Sequence, residues 1–504
     1  MFGKNKYLLI VLSLILMGCT KEDEENESSV ITVGDNNFRP TYHFTPAKNW
    51  MNDPNGMVYY KGEYHLFFQY NPDDNVWGPM HWGHAISEDL VNWEELPVAL
   101  YPDDLGNIFS GSAVVDKQNT AGFKTGDEDV LVAIFTHHNP ETNEQYQSLA
   151  YSNDRGRSWQ KYEGNPVLVN EDKTDFRDPK VIWHEKTQQW VMVVAAGQEI
   201  LFYSSPNLKE WEYLQSFGHG LGAHGGVWEC PDLFTVKNEN GEERWALLVS
   251  INPGAPNGGS GTQYFLGSFD GETFETSQTE TKWLDFGTDN YAGVTWSNEP
   301  DGRNLFIGWM SNWAYAQDVP TTAWRSAMTL PRTLELSNDG DLLLSKPANE
   351  MSTVLASNNV QFSPYGVDIK NDAVLKSGTF QITTTLDLSK ENSIELFWGN
   401  ETSGVSLQYD KTSSEFVVNR SDAGYHFKNL NNNKLVAPYI LPENNELELE
   451  IWVDKSSVEV FVNGGERVIT FLIFPNTPFT DLQIFSNSEA EFVQSLYINP
   501  ILNK

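Results

Sequence analysis

From residue 38 onward the apolar residues fall in short runs, some alternating with polar positions and some continuous, separated by Gly, Asn, Asp and Pro. No stretch sustains the spacing of a long amphipathic helix, so the pattern predicts an all-β protein. A short motif recurs between the runs. Ser87-Glu-Asp89-Leu-Val-Asn-Trp93 returns as Ser205-Pro-Asn207-Leu-Lys-Glu-Trp211, more loosely as Ser268-Phe-Asp270-Gly-Glu-Thr-Phe274, and one residue longer from Ser152 through Asp154 to Trp159. Each copy offers an Asp or Asn to form a turn and an aromatic ring to close a small core. Strand-turn-strand segments begin near Gly56, Ser112, Lys180, Asp232 and Gly293, a spacing of roughly 50–70 residues that signals a repeat architecture. Five such units predict a five-bladed β-propeller over 38–347, because one small sheet cannot bury both faces alone and must pack radially. A β-sandwich of the same size leaves the period unexplained.

Beyond Pro347 the pattern changes. Short alternating strands are predicted at 380–388, 393–398, 405–409, 446–453 and 457–462, with Asn463-Gly464-Gly465 as a hairpin turn. The segment 355–504 therefore reads as a C-terminal β-sandwich of about 150 residues, an ordinary domain size. Its tryptophans, Trp398 and Trp452, read as core rather than as a sugar platform.

Charge and cysteine content narrow the function. Lys and Arg number 33 and Asp and Glu 69, a net charge of −36. That charge repels phosphate backbones and argues against nucleic acid as a partner. The two cysteines, Cys19 and Cys230, exclude a disulfide framework. Lys4 and Lys6 precede an apolar stretch, 7–17, that is short for a bilayer span. Leu16-Met17-Gly18-Cys19 resembles the lipobox of bacterial lipoproteins, with Met where a small residue is commoner. The acidic, polar run 21–27 that follows resembles the surface-export signal of Bacteroidota lipoproteins. Residues 1–18 are thus expected to be a signal peptide, Cys19 the lipidated residue, and 19–37 a flexible tether. The expected location is the outer membrane, facing the cell surface or the periplasm, with membrane contact only through the anchor.

Three of the five blade openings carry an acid at or near a proline: Asp53-Pro54, Asp178-Pro179 and Glu229-Cys230-Pro231. Any one alone is a common turn. Matching places on successive blades point to one end of a propeller's channel, so the three acids are expected to converge. Converging carboxylates repel, and their pKa values are driven apart. One then stays ionised as a nucleophile while another keeps its proton, as retaining glycoside hydrolysis requires with carboxyls about 5–5.5 Å apart. Arg177 is expected to hold Asp178 ionised. The histidines, including His137-His138 and His81 with His84, show no convincing zinc spacing.

Trp50-Met51-Asn52-Asp53-Pro54-Asn55-Gly56, Phe109-Ser110-Gly111-Ser112, Phe176-Arg177-Asp178-Pro179 and Trp228-Glu229-Cys230-Pro231-Asp232 closely resemble the signature blocks of glycoside hydrolase family 32, in the family's order. The resemblance extends through Gly308-Trp309-Met310-Ser311-Asn312-Trp313 and Pro331-Arg332, and covers roughly residues 40–500. It implies that Asp53 is the nucleophile at the anomeric C2 of a fructofuranosyl unit and Glu229 the acid/base. Asp178 is implied as the transition-state stabiliser. Asn52, Gln69, Trp77, Phe109, Ser110 and Arg177 are implied to line the fructose subsite, and motif similarity adds Tyr291 and Trp313. Cys230, beside the acid, either tunes it as a polarisable neighbour or is a buried, inert thiol. The mechanism requires no metal, no cofactor is expected, the protein is expected to be a monomer, and the resemblance implies a fructan or fructo-oligosaccharide substrate. The expected activity is a retaining β-fructosidase of levanase or inulinase type releasing fructose. An endo-acting levanase, a fructosyltransferase and a non-catalytic fructan-binding protein are the alternatives.

Overall fold

The computed structural model describes residues 38–169, 172–358, 360–427 and 433–502. The expected signal peptide, Cys19 and tether lie outside the described residues.

Five antiparallel sheets follow one another along the chain. Their innermost strands are Asn49–Tyr60, Asn107–Asp116, Phe176–His184, Val227–Lys237 and Tyr291–Thr295, which define blades 1 to 5. These strands touch in chain order, and the fifth returns to the first, so the ring is closed. The closure is made by backbone. Ser297 N donates to Met57 O at 2.9 Å, and Trp324–Arg325 lies parallel to the start of blade 1. Buried Lys180 of blade 3 pairs with Asp232 of blade 4 at 3.0 Å and donates to Thr295 O of blade 5 at 2.8 Å. This tie fixes three blades around the axis.

The recurring Asp/Asn motif links the third and fourth strands of its blade. In blade 1, Asp89 Oδ1 accepts from Val91 N and Asn92 N; in blade 3, Asn207 Oδ1 accepts from Lys209 N and Glu210 N. The next residue takes the left-handed conformation that lets the chain reverse: Leu90 (φ 62°), Arg155 (57°), Leu208 (64°) and Gly271 (106°). A fifth copy, Ser337-Asn338-Asp339-Gly340, links Arg332–Leu336 to Leu343–Pro347, with Gly340 at φ 76°. It lacks the closing aromatic, which is why the sequence pattern passes it over.

The C-terminal part is a sandwich of a six-stranded and a five-stranded sheet. Strands Phe380–Asp387, Ser393–Gly399, Gly404–Asp410, Glu446–Asp454 and Ser457–Val462 agree with the predicted runs to within a residue at each end. Trp398 and Trp452 are buried. Where sandwich meets propeller, buried ion pairs lie beside an apolar cluster of Leu330, Trp452, Phe461 and Val468. Arg332 of blade 5, fully buried, pairs with Asp285 at 3.1 Å and with Glu459 of the sandwich. His43 bridges Asp454 (2.9 Å) and Glu459 (2.8 Å). Burial disfavours a charged ring there, but the two carboxylates outweigh it and raise His43 to about 9.

Candidate active site

In every blade the innermost strand breaks register near its start, with two residues standing against one. The bulges fall at 52–53, 109–110, 178–179, 230–231 and 292–293. Such bulges re-aim side chains and twist a strand away from its neighbour. Asp178, Cys230 and Ala292 take positive φ there (67°, 46° and 54°), a conformation that costs a residue with a side chain energy. The three acids do not share one register position, contrary to the simple repeat expectation. Asp53 stands one residue before pairing resumes, Asp178 two and Glu229 three. The bulges turn these staggered positions toward the same space.

That space is a cavity of about 350 Å³, within the usual range for a small-ligand site. Asn52, Asp53, Gln69, Trp77, Phe109, Ser110, Arg177, Asp178, Glu229 and Trp313 all line it. Tyr291 does not. It is buried behind Glu229 and donates its hydroxyl to Oε2 of that residue. Burial pushes the Tyr291 phenol well above its ordinary range, so it stays a proton donor. A cavity of similar size, about 330 Å³, borders the far ends of the innermost strands of blades 2 and 3, but no three acids converge on it.

Each acid has its own set of donors. Asp53 Oδ2 accepts from Ser110 Oγ at 2.8 Å and Oδ1 from Asn52 Nδ2 at 3.1 Å; Asn52 is itself oriented by Trp50 Nε1 at 2.8 Å. Burial and then the Glu229 charge raise the Asp53 pKa, while the bonds from Ser110, Asn52 and Cys230 oppose them. Asp178 Oδ2 accepts from Cys230 N at 3.0 Å. Arg177 reaches Asp178 only at 4.0 Å and turns its fork to Glu229 Oε1 (3.1 and 2.9 Å) and Asp175 (2.7 Å). Arg177 lowers the Asp178 pKa as expected, but its pull is outweighed. Burial dominates and carries Asp178 to about 7, against the pull of Arg177. The Cys230 thiol, pushed up by burial, lies 3.5 Å from Asp53 and 3.6 Å from Asp178. Its contacts are thus with those two acids.

A prediction follows from Asp178. A carboxyl whose folded pKa lies above its unfolded one favours folding at low pH, and that advantage is lost as pH rises from about 4 through about 7. Asp178→Asn should therefore be more stable than wild type at pH 8, with the difference vanishing near pH 4. Denaturant titrations at the two pH values check this; a variant less stable at pH 8 contradicts it.

The cavity also takes in His138, Asn143, Gln145 and Asp175, which sequence reasoning did not assign to it. His138 stacks on Phe109 with centroids 4.4 Å apart, and its Nε2 donates to Asn143 Oδ1 at 2.8 Å. The hairpin holding Asn143 joins two strands of blade 2, so only pairing register brings it over the pocket. Asp175 lies one residue outside a family block, the one signal that pointed to it.

The glycosyl hydrolases family 32 N-terminal domain matches residues 43–347, and the family's C-terminal domain matches residues 345–500. The chain belongs to glycoside hydrolase family 32. Among its relatives, a levanase of Bacillus subtilis (strain 168) is 47% identical over 511 residues, covering 98% of this chain and 74% of the relative. An extracellular exo-inulinase of Aspergillus awamori is 38% identical over 495 residues, covering 88% of this chain and 90% of the relative. The crystal structure of exo-inulinase from Aspergillus awamori superposes with a TM-score of 0.84 at 34% identity, covering 92% of this chain and 98% of that one. The propeller and sandwich are thus the family 32 architecture, and the chain is a glycoside hydrolase.

Proposed function

We propose that this family 32 enzyme is a retaining β-fructosidase that hydrolyses the β-fructofuranosidic bonds of fructans and releases fructose. The observation that carries the reading is the convergence of Asp53, Asp178 and Glu229 on one cavity, in a chain whose relatives include a levanase and an exo-inulinase.

In the first step Asp53 attacks C2 of the terminal fructosyl unit as the bond from C2 to the leaving oxygen breaks. Glu229 gives that oxygen its proton, and the sugar is left as an ester of Asp53. In the second step Glu229, now ionised, takes a proton from water, which attacks C2 and frees Asp53. Departure from C2 builds positive charge on the ring, and the hydrogen bonds from Ser110 and Asn52 favour the anionic Asp53 that this needs. Tyr291 and Arg177 fix the two oxygens of Glu229 in orientation. Asp178, Asn52 and Gln69 offer polar atoms to the fructose hydroxyls, while Trp77, Phe109 and Trp313 supply apolar wall.

Chromatography of early products from levan, inulin and sucrose tests the reading. Fructose as the first product from each fructan supports it. An early ladder of oligomers indicates internal cleavage, products longer than the substrate indicate transfer, and no turnover indicates a binder.

A further inference from the structure

Two exposed aromatic rings stand at the active-site end of blade 1. Trp77, 40% exposed, lines the cavity and meets Phe109 edge to face with centroids 6.3 Å apart. Tyr101, 56% exposed, lies outside the cavity. Both are at one end of the blade, because Leu100 pairs with Trp82, just after the loop that carries Trp77. Tyr101 rests edge-on against His81, centroids 5.4 Å apart and planes at 82°; His81 Nδ1 donates to Pro79 O at 3.0 Å.

A single exposed ring is ordinary on a protein surface. Tyr101 is distinguished by standing on a tethered loop at the active-site end of its blade. The loop 101–106 is closed by reciprocal backbone bonds between Asp103 and Gly106 (3.1 and 3.0 Å). Lys161 donates to both Tyr101 O and Asp103 Oδ2, and Tyr146 donates to Leu105 O at 2.6 Å. Gly106 sits at φ 132°, where a Cβ would come within 2.1 Å of His138 O. That close approach locks the loop to His138, whose ring stacks on Phe109 in the cavity wall. A loop held at so many points loses less backbone entropy when a ligand meets it than a free one, which favours preorganised binding. The loop that carries Tyr101 thus touches the backbone of His138, whose ring lines the cavity beside Phe109.

We infer that Tyr101, braced on His81, is a distal fructan subsite: its ring receives the apolar face of a fructosyl unit beyond the sugar next to the cleaved bond. The inference rests on the proposed action on fructan. Sucrose has no such unit, since its second sugar is itself the leaving group. The ring is therefore read only by longer chains.

Steady-state kinetics of wild type, Tyr101→Ala and Tyr101→Phe on sucrose and on long-chain levan and inulin test it. Tyr101→Ala should raise KM for the preferred fructan about fivefold, the size expected for losing one aromatic contact, with kcat little changed. Sucrose kinetics should stay at wild-type values, and Tyr101→Phe, which keeps the ring, should behave as wild type on all substrates. An unchanged fructan KM in Tyr101→Ala, or an equal change on sucrose, overturns the subsite. Wild-type enzyme that cleaves sucrose but no fructan would remove the functional reading itself, and is seen before any variant is measured.

Discussion

Asp53→Ala should lose turnover by roughly 10⁵-fold or more on every substrate, the scale seen when a covalent nucleophile is removed. The loss should appear in kcat, because the alanine variant retains the polar and aromatic walls that bind the sugar. Folding should not suffer. Asp53 is buried beside Glu229, and both burial and that neighbouring charge raise its pKa, so its ionised form opposes folding. Stability at neutral pH should match or exceed wild type. The combination separates a reacting group from a structural one, since a turn residue lost from the start of blade 1 would lower stability and leave kcat of the folded fraction intact. Kinetics and thermal unfolding on the same preparation decide between these.

The second large effect lies at the joint between propeller and sandwich. Arg332→Ala should destabilise the protein by about 3–5 kcal/mol, the usual cost of stripping one partner from a buried ion cluster. The guanidinium donates to Asp285, to Glu459 and to Thr470 Oγ1 at 2.7 Å, and no part of it meets water. Without it Asp285 and Glu459 would remain buried with less compensation. Arg332→Lys should recover part of the loss, because a point charge replaces the fork without its paired geometry. Enzyme that stays folded at low temperature should keep near-normal kinetics, since Arg332 does not line the catalytic cavity. Denaturant unfolding gives the stability change; a stability equal to wild type would show that the joint is held by its other contacts, such as Arg420 to Asp289.

Much of the propeller was legible because local chemistry repeats with the blades. An Asp or Asn that caps a tight turn, followed by a left-handed residue, marks the outer link of each blade, and four of the five copies keep an aromatic that draws attention to it. The candidate pocket was legible through its family blocks, of which the four that carry the three acids and Ser110 sit on innermost strands. What escaped the sequence depends on distance rather than pattern. The stagger of Asp53, Asp178 and Glu229 arises from bulges, which shift register without changing composition. Arg177 hydrogen-bonds Glu229, 52 positions away, while the adjacent Asp178 stays 4.0 Å off. His138 and Asn143 reach the cavity only because blade 2 pairs as it does. Pro331-Arg332 stood out as a block, yet its work is to hold the two domains together, and nothing in the motif distinguishes that from catalysis.

The central claim is that the reaction passes through a fructosyl ester on Asp53. An activated fructoside with a good leaving group, mixed with Glu229→Ala, should form that ester readily and hydrolyse it slowly, since the variant lacks the base that activates water. Rapid quenching, proteolysis and mass spectrometry should then find one fructosyl unit added to the peptide containing Asp53, and none when Asp53→Ala is also present. An adduct on Asp178 or elsewhere, or fructose formed with no adduct at any time, would contradict the account.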